Sequence, residues 1–162
     1  MNKLVFINGS SCIGKTTIAE SLFYSIDNCG WIDPDQTWWS NRKDEHWETA
    51  IPYVLDNTIH CVNNYLKYGL NPIIISWFFP KIENIDYVVK NINGHSSFDH
   101  YMLTAKMETL LERHKKRGDI RGYADWMKLN ENLTLPNTIK IDTDNKNIKE
   151  IVEDIRNRIQ KV

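Results

Sequence analysis

Residues 9–16 read Gly9, Ser10, Ser11, Cys12, Ile13, Gly14, Lys15, Thr16, and this spacing restricts the fold more than anything else in the chain. It is a complete G-x-x-x-x-G-K-[ST] phosphate-binding loop, preceded by the apolar run Leu4 to Ile7 and followed by a helical pattern, as such a loop must be. Gly9 and Gly14 let the main chain wrap with its N–H groups pointing inward, which makes a nest for a β-phosphate. The helix that starts near Lys15 adds its positive end at the same place. Lys15 is expected to reach the β- and γ-phosphates, the Thr16 hydroxyl to hold Mg²⁺, and Thr17 to offer a hydroxyl and an N–H toward the α-phosphate. A nucleoside triphosphate is the implied ligand.

The rest of the chain supplies what such a loop needs around it. The spacing predicts a first helix over residues 15–28, with Ile18, Leu22 and Ile26 on one face, and a short strand at Trp31-Ile32 closed by Asp33-Pro34-Asp35. Residues 45–68 repeat apolar side chains at three and four, with Pro52 inside. Either the helix starts near Pro52 or it is kinked there. Ile73 to Phe79 is unbroken and apolar, which suits a strand buried on both faces, and Pro80 closes it. A weaker helix over 81–92, a strand from Asp99 to Thr104 and a helix from Lys106 follow. In that helix Met107, Leu110, Leu111 and His114 share a face, and Gly118 ends it. A short helix over 124–132, a strand from Thr138 to Ile141, and a last helix with Ile148, Ile151, Val152, Ile155 and Ile159 in register complete the pattern. Strands alternating with helices imply an α/β fold, a parallel sheet covered on both faces, with the ligand at the carboxyl ends of the strands.

Composition removes several classes of partner. The 162 residues carry 20 Lys+Arg against 21 Asp+Glu, so no general basic field favours nucleic acid or an anionic membrane. No apolar run is long enough to cross a bilayer, and Met1-Asn2-Lys3 leads straight into a strand rather than a signal-peptide pattern. Three cysteines without metal spacing point to reduced thiols and a cytoplasmic setting. One domain, 1–162, is expected, as monomer or homodimer.

Three further features bear on chemistry. Asp33 and Asp35 lie just past the second strand, next to the phosphate loop in a parallel sheet. Asp33 is expected in the Mg²⁺ shell and Asp35 at the acceptor hydroxyl. The basic run from Arg113 through Arg117 to Arg121 puts guanidinium groups on a segment able to close over transferring phosphates. The third strand ends Ile75-Ser76-Trp77 with no aspartate, which disfavours a mechanical or switch ATPase and leaves Ser76 as a minor contributor to the metal's water shell. Trp38, Trp39, Trp47, Trp77 and Phe78 are the expected wall of an acceptor pocket, with Trp38 and Trp39 foremost because they follow Asp35. Asn57 and His60 are expected to project toward it.

On these residues the chain resembles the small P-loop kinases, the group that includes shikimate kinase, gluconate kinase, chloramphenicol phosphotransferase and the nucleoside monophosphate kinases. The matching segments are Phe6 through Thr17, Ile32 through Gln36, and Leu111 through Arg117. Over nearly its full length it is most similar to bacterial proteins labelled AAA-family ATPase or nucleotide kinase. Those share a strand-two Asp followed by Trp, a stretch like Val54–Asn57, and a final Ile-Asp-Thr like Ile141–Thr143. The resemblance implies a P-loop NTPase fold with five parallel strands in the order 2-3-1-4-5 and a short LID over about 117–124. It also places the loop beginning Asp142-Thr143 near the adenine, with Arg113 near the adenine or the phosphates. The implied activity is transfer of the γ-phosphate of Mg-ATP, with GTP not excluded, to a hydroxyl of a small molecule. Trp77 to Pro80 replaces the glycine-rich acceptor motif of shikimate kinase, and Arg42 is the only arginine between residues 36 and 80. A neutral or weakly charged acceptor (nucleoside, sugar or antibiotic) is therefore expected. A nucleoside monophosphate kinase and a nucleotide sensor with little chemistry of its own are the alternatives.

Overall fold

In a computed structural model, which describes residues 2–43, 46–118 and 133–160, five strands form one sheet. They are β1 (Asn2–Asn8), β2 (Gly30–Ile32), β3 (Ile73–Ser76), β4 (His95–Thr104) and β5 (Thr138–Asp142). Their order is 2-3-1-4-5 and every pairing is parallel. The helices of the described residues are α1 (Lys15–Tyr24), α2 (Trp47–Lys67), α3 (Ile82–Asn91), α4 (Met107–Arg117) and α5 (Ile148–Gln160). A 3₁₀ turn spans Pro34–Thr37. None of these helices is long and apolar enough to cross a membrane.

Period-2 alternation in the strands divides the core between the two faces of the sheet. Val5, Ile7, Ile74 and Tyr101 meet α1 and α5 through Ile18, Leu22, Ile151 and Ile155. Leu4, Phe6, Ile73 and Ile75 meet α2 and α3 through Val54, Val62, Ile85 and Val88. The register sets the site. Phe6 lies opposite Ile75, Ile75 opposite Ile32, and Ile7 opposite both Ser76 and Tyr101. The chain therefore leaves β1, β2 and β3 at one level, so the phosphate loop, Asp33 and Trp77 emerge side by side.

Element boundaries differ from expectation in ways with local causes. Helix α1 stops at Tyr24 rather than residue 28, because the Ser25 N–H and hydroxyl both bond back to the Leu22 carbonyl and the last turn tightens. Helix α2 runs through Pro52 as one element from Trp47. Pro52 is in the second turn, where its missing donor removes a single ladder bond. Strand β3 ends at Ser76, not Phe79: the Trp77 N–H still reaches the Ile7 carbonyl, but the Phe79 N–H turns to the Asn8 side chain. Strand β4 begins earlier than expected, at His95, because it follows β1 from Asn2 onward. Leu111 does not join its expected face and is 51% exposed, whereas Leu110 and His114 are buried. The expected helix over 124–132 lies outside the described residues, as does the expected LID apart from Arg117 and Gly118.

Candidate functional site

The loop between β1 and α1 has the backbone its glycines anticipate. Gly9 sits at φ 150, where a Cβ would press to 3.0 Å against both Ile13 Cγ2 and the Leu103 carbonyl oxygen. Gly14 caps α1 at φ 108 and accepts the Ile18 N–H at 2.9 Å. Between them Cys12 takes a left-handed φ of 59, which bends the loop into a concave nest. Lys15 folds its ammonium back onto the rim of that nest, donating to the Gly9 and Ser10 carbonyls at 2.9 and 2.8 Å. Desolvation lowers its pKa to about 8, against the pull of Asp35 and Asp33. Thr16 and Thr17 are exposed at the start of α1.

Asn8, to which the motif assigns no role, holds the loop in place. Its buried Oδ1 accepts the Gly9 N–H at 2.8 Å and the Phe79 N–H at 3.1 Å, so one amide joins the phosphate loop to the segment after β3. The available signal was a polar side chain closing an otherwise apolar strand. On the opposite side, Arg113 donates to the Ile13 carbonyl (3.2 Å), to Thr143 Oγ1 (3.1 Å) and to the Thr143 carbonyl (3.1 Å). It therefore braces the loop against the β5–α5 connection. Arg117, one helical turn on, places Nη1 3.9 Å from Cys12 Sγ. Arg121 lies outside the described residues.

Asp33 and Asp35 flank the 3₁₀ turn. Burial, and then the Asp35 charge, raise the Asp33 pKa, while the Asp35 N–H, Lys15 and the Thr16 hydroxyl draw it down. Thr16 and Asp33 both line the cleft, and their side chains offer hard oxygen donors of the type Mg²⁺ takes alongside phosphate oxygens and water. Asp35 is engaged differently. Its Oδ1 accepts the indole N–H of Trp77 at 2.6 Å, across 42 residues of sequence, and Oδ2 takes no hydrogen bond from the described residues.

These groups line one cleft of about 1410 Å³. Residues 11–18, Arg113, Arg117, Thr143 and Lys146 form one side of it, and Asp33, Asp35, Trp38, Trp39, Trp77 and Phe78 the other. Trp47 and Phe78 meet edge to face, 6.4 Å apart. Trp39 is 86% exposed at the rim, while Trp77 is buried beneath it in the core. Gly9 and Ser10 lie behind the lining, and Ser76 reaches the cleft while its oxygen accepts the Trp31 indole N–H at 3.0 Å. Asn57 and His60 do not line the cleft: Asn57 donates to the Thr37 carbonyl, and His60 bonds the Asp56 carbonyl on the exposed face of α2. Lys146, Asn147 and Ile148 enter it without having been singled out by motif.

Comparison with solved structures decides the fold. A sugar kinase from Janibacter sp. HTCC2649 superposes with a TM-score of 0.77 at 18% identity, over 96% of this chain and 92% of that one. The fold is that of the small P-loop kinases. The Mycobacterium tuberculosis APS kinase, solved with AMPPNP and APS, matches with a TM-score of 0.72 at 14% identity over 98% of each chain. A Deinococcus radiodurans tunicamycin resistance protein matches at 0.64 and 18% identity, over 98% of this chain and 96% of that one. No family model matches the sequence, and no curated protein matches it significantly.

Proposed function

We propose that the chain acts as one domain, 1–162, and is a small-molecule kinase that moves the γ-phosphate of Mg-ATP, or of GTP, to an alcohol oxygen. The observation that carries this reading is the meeting, in one cleft, of a phosphate nest with its lysine and a carboxylate held by Trp77 on the far wall. The nest residues Gly9 to Thr17 take the triphosphate, and Thr143 with Arg113 borders the base. Thr16 and Asp33 would hold Mg²⁺, which would supply charge neutralisation for the triphosphate. Lys15 exchanges its two carbonyl partners for phosphate oxygens.

The acceptor hydroxyl lies between Asp35 and the γ-phosphorus. Its oxygen forms a new bond to that phosphorus as the bond to the β,γ-bridging oxygen breaks, and the electron pair leaves with ADP. The hydroxyl proton passes to Asp35 Oδ2, the oxygen that Trp77 leaves open. Arg117 and Arg121, from the proposed LID over 117–124, neutralise the charge that builds up on the transferred group, with Arg113 fixing the loop they close upon. Trp38, Trp39 and Trp77 shape the acceptor side. The kinase fold of proteins whose names include sugar kinase and APS kinase supports the same class of chemistry.

A coupled ADP-release screen over nucleosides, nucleoside monophosphates, sugars and antibiotics tests the proposal. Release dependent on a non-phosphorylated alcohol supports it. Release only with monophosphates would make it a nucleotide kinase, and nucleotide binding with no release would favour a sensor.

A further inference from the structure

The two sides of the cleft differ in charge. Its cations, Lys15, Arg113, Arg117 and Lys146, belong to the phosphate loop, α4 and the β5–α5 connection. The other wall, formed by the described lining residues that lie between Asp33 and Val54 and by residues 76–78, contributes two carboxylates and a set of aromatic rings. No lysine, arginine or histidine is among its described lining residues. Asp35 is pinned through one oxygen by the buried Trp77 indole, and its other oxygen has no donor among the described residues. Around it stand Trp38, Trp39, Trp47 and Phe78, whose ring faces carry negative quadrupole charge.

A carboxylate beside several π faces, on a wall whose described lining residues include no cation, makes a region of negative potential once Lys15, which Asp35 and Asp33 attract in the free protein, turns to phosphate. An acceptor with its own phosphate or carboxylate would be repelled there. A neutral sugar would stack on the rings and meet Asp35 through a hydroxyl alone, leaving the negative field of the ring faces unused. A cation on a hydroxylated skeleton satisfies both the rings and the carboxylate field. Trp39, 86% exposed at the rim, is an open aromatic face for such a group to cover.

Building on the kinase reading above, we propose that the acceptor is an alcohol bearing a cationic nitrogen, such as an amino sugar or an amino alcohol, held by the Trp38–Trp39–Trp47 wall beside Asp35. The cation sets which alcohol is chosen, and the hydroxyl is what reacts.

Matched pairs test this directly in the ADP-release assay with Mg-ATP: glucosamine against glucose, and choline against the dimethylbutanol in which carbon replaces its nitrogen. The cationic member of a pair should show the higher kcat/KM by about tenfold, the scale of a partly desolvated cation–π contact. The ratio between members should collapse in Trp39→Leu and return in Trp39→Phe, which restores a ring face. A merely structural role for Trp39 would lower both members together and leave the ratio alone. Equal or better turnover of the neutral members overturns the inference and leaves the kinase reading standing. So does a protein that binds Mg-ATP by calorimetry yet turns over no cationic member. Failure to bind Mg-ATP at all would overturn the kinase reading itself and this inference with it.

Discussion

Replacing Asn8 with alanine isolates the brace on which the proposed nucleotide site depends. The side chain is fully buried, and its oxygen is the acceptor for two backbone N–H groups, Gly9 at 2.8 Å and Phe79 at 3.1 Å. Alanine leaves both donors without that acceptor, and an unsatisfied buried donor costs about 1–3 kcal/mol, so the expected loss is roughly 2–4 kcal/mol. For a chain of this size each kcal/mol moves the midpoint about 2–4 °C, which puts the fall in Tm at roughly 5–15 °C. Urea titration gives the free energy and scanning calorimetry the midpoint. Nucleotide affinity should fall in parallel, because the Gly9 N–H that opens the nest loses its anchor. An Asn8→Ala protein within about 0.5 kcal/mol of the parent, the range of an ordinary surface change, would refute the argument.

Other consequences follow from charge. The depressed pKa of Lys15, about 8, means the free protein gives up that proton as pH rises through 8, while bound phosphate would restore it. Polyphosphate affinity should therefore weaken about eightfold between pH 7.5 and 9, with proton uptake on binding. Calorimetry in buffers of different ionisation enthalpy reads both, and a pH-independent affinity would contradict it. Burial lowers His100 to about 4 from 6.5, so the unfolded chain takes a proton across that window and the folded one does not. Stability is thus present above 6.5 and lost as pH falls toward 4, by about 2 kcal/mol at pH 5. His100→Gln should flatten that slope in denaturant titrations, and an unchanged slope would place the effect elsewhere. Asp35→Asn should cut kcat by about 10²–10⁴ while leaving the Mg-ATP dissociation constant nearly unchanged. Unchanged turnover would remove Asp35 from the chemistry.

Much of this was legible in the amino-acid sequence because the constraints are local. The phosphate loop needs Gly9 where a Cβ would collide with Leu103, and Gly14 where φ is positive. Periodicity marked the alternation of strand and helix, although the strand order came with the family resemblance. What escaped depends on contacts distant in sequence. An indole N–H on Trp77 and a carboxylate on Asp35 look like a core residue and a turn residue until register sets them side by side. Ile73 to Phe79 reads as one strand because nearly every side chain in it is apolar, yet the ladder ends at Ser76 where the Asn8 amide replaces a strand partner. Asn57 and His60 could not be placed because the face a helix turns to a cleft depends on how it docks, and α2 turns Ala50 and Val54 inward instead.

The central claim is that the main-chain nest and Lys15 bind a nucleoside triphosphate. Titration calorimetry of the protein with Mg-ATP, set beside Lys15→Ala, tests it most directly. A saturable isotherm is predicted for the native chain, weakened about 10- to 100-fold in the variant, the scale of a charge-assisted hydrogen bond. No heat with the native chain, or identical isotherms for the two, would contradict it.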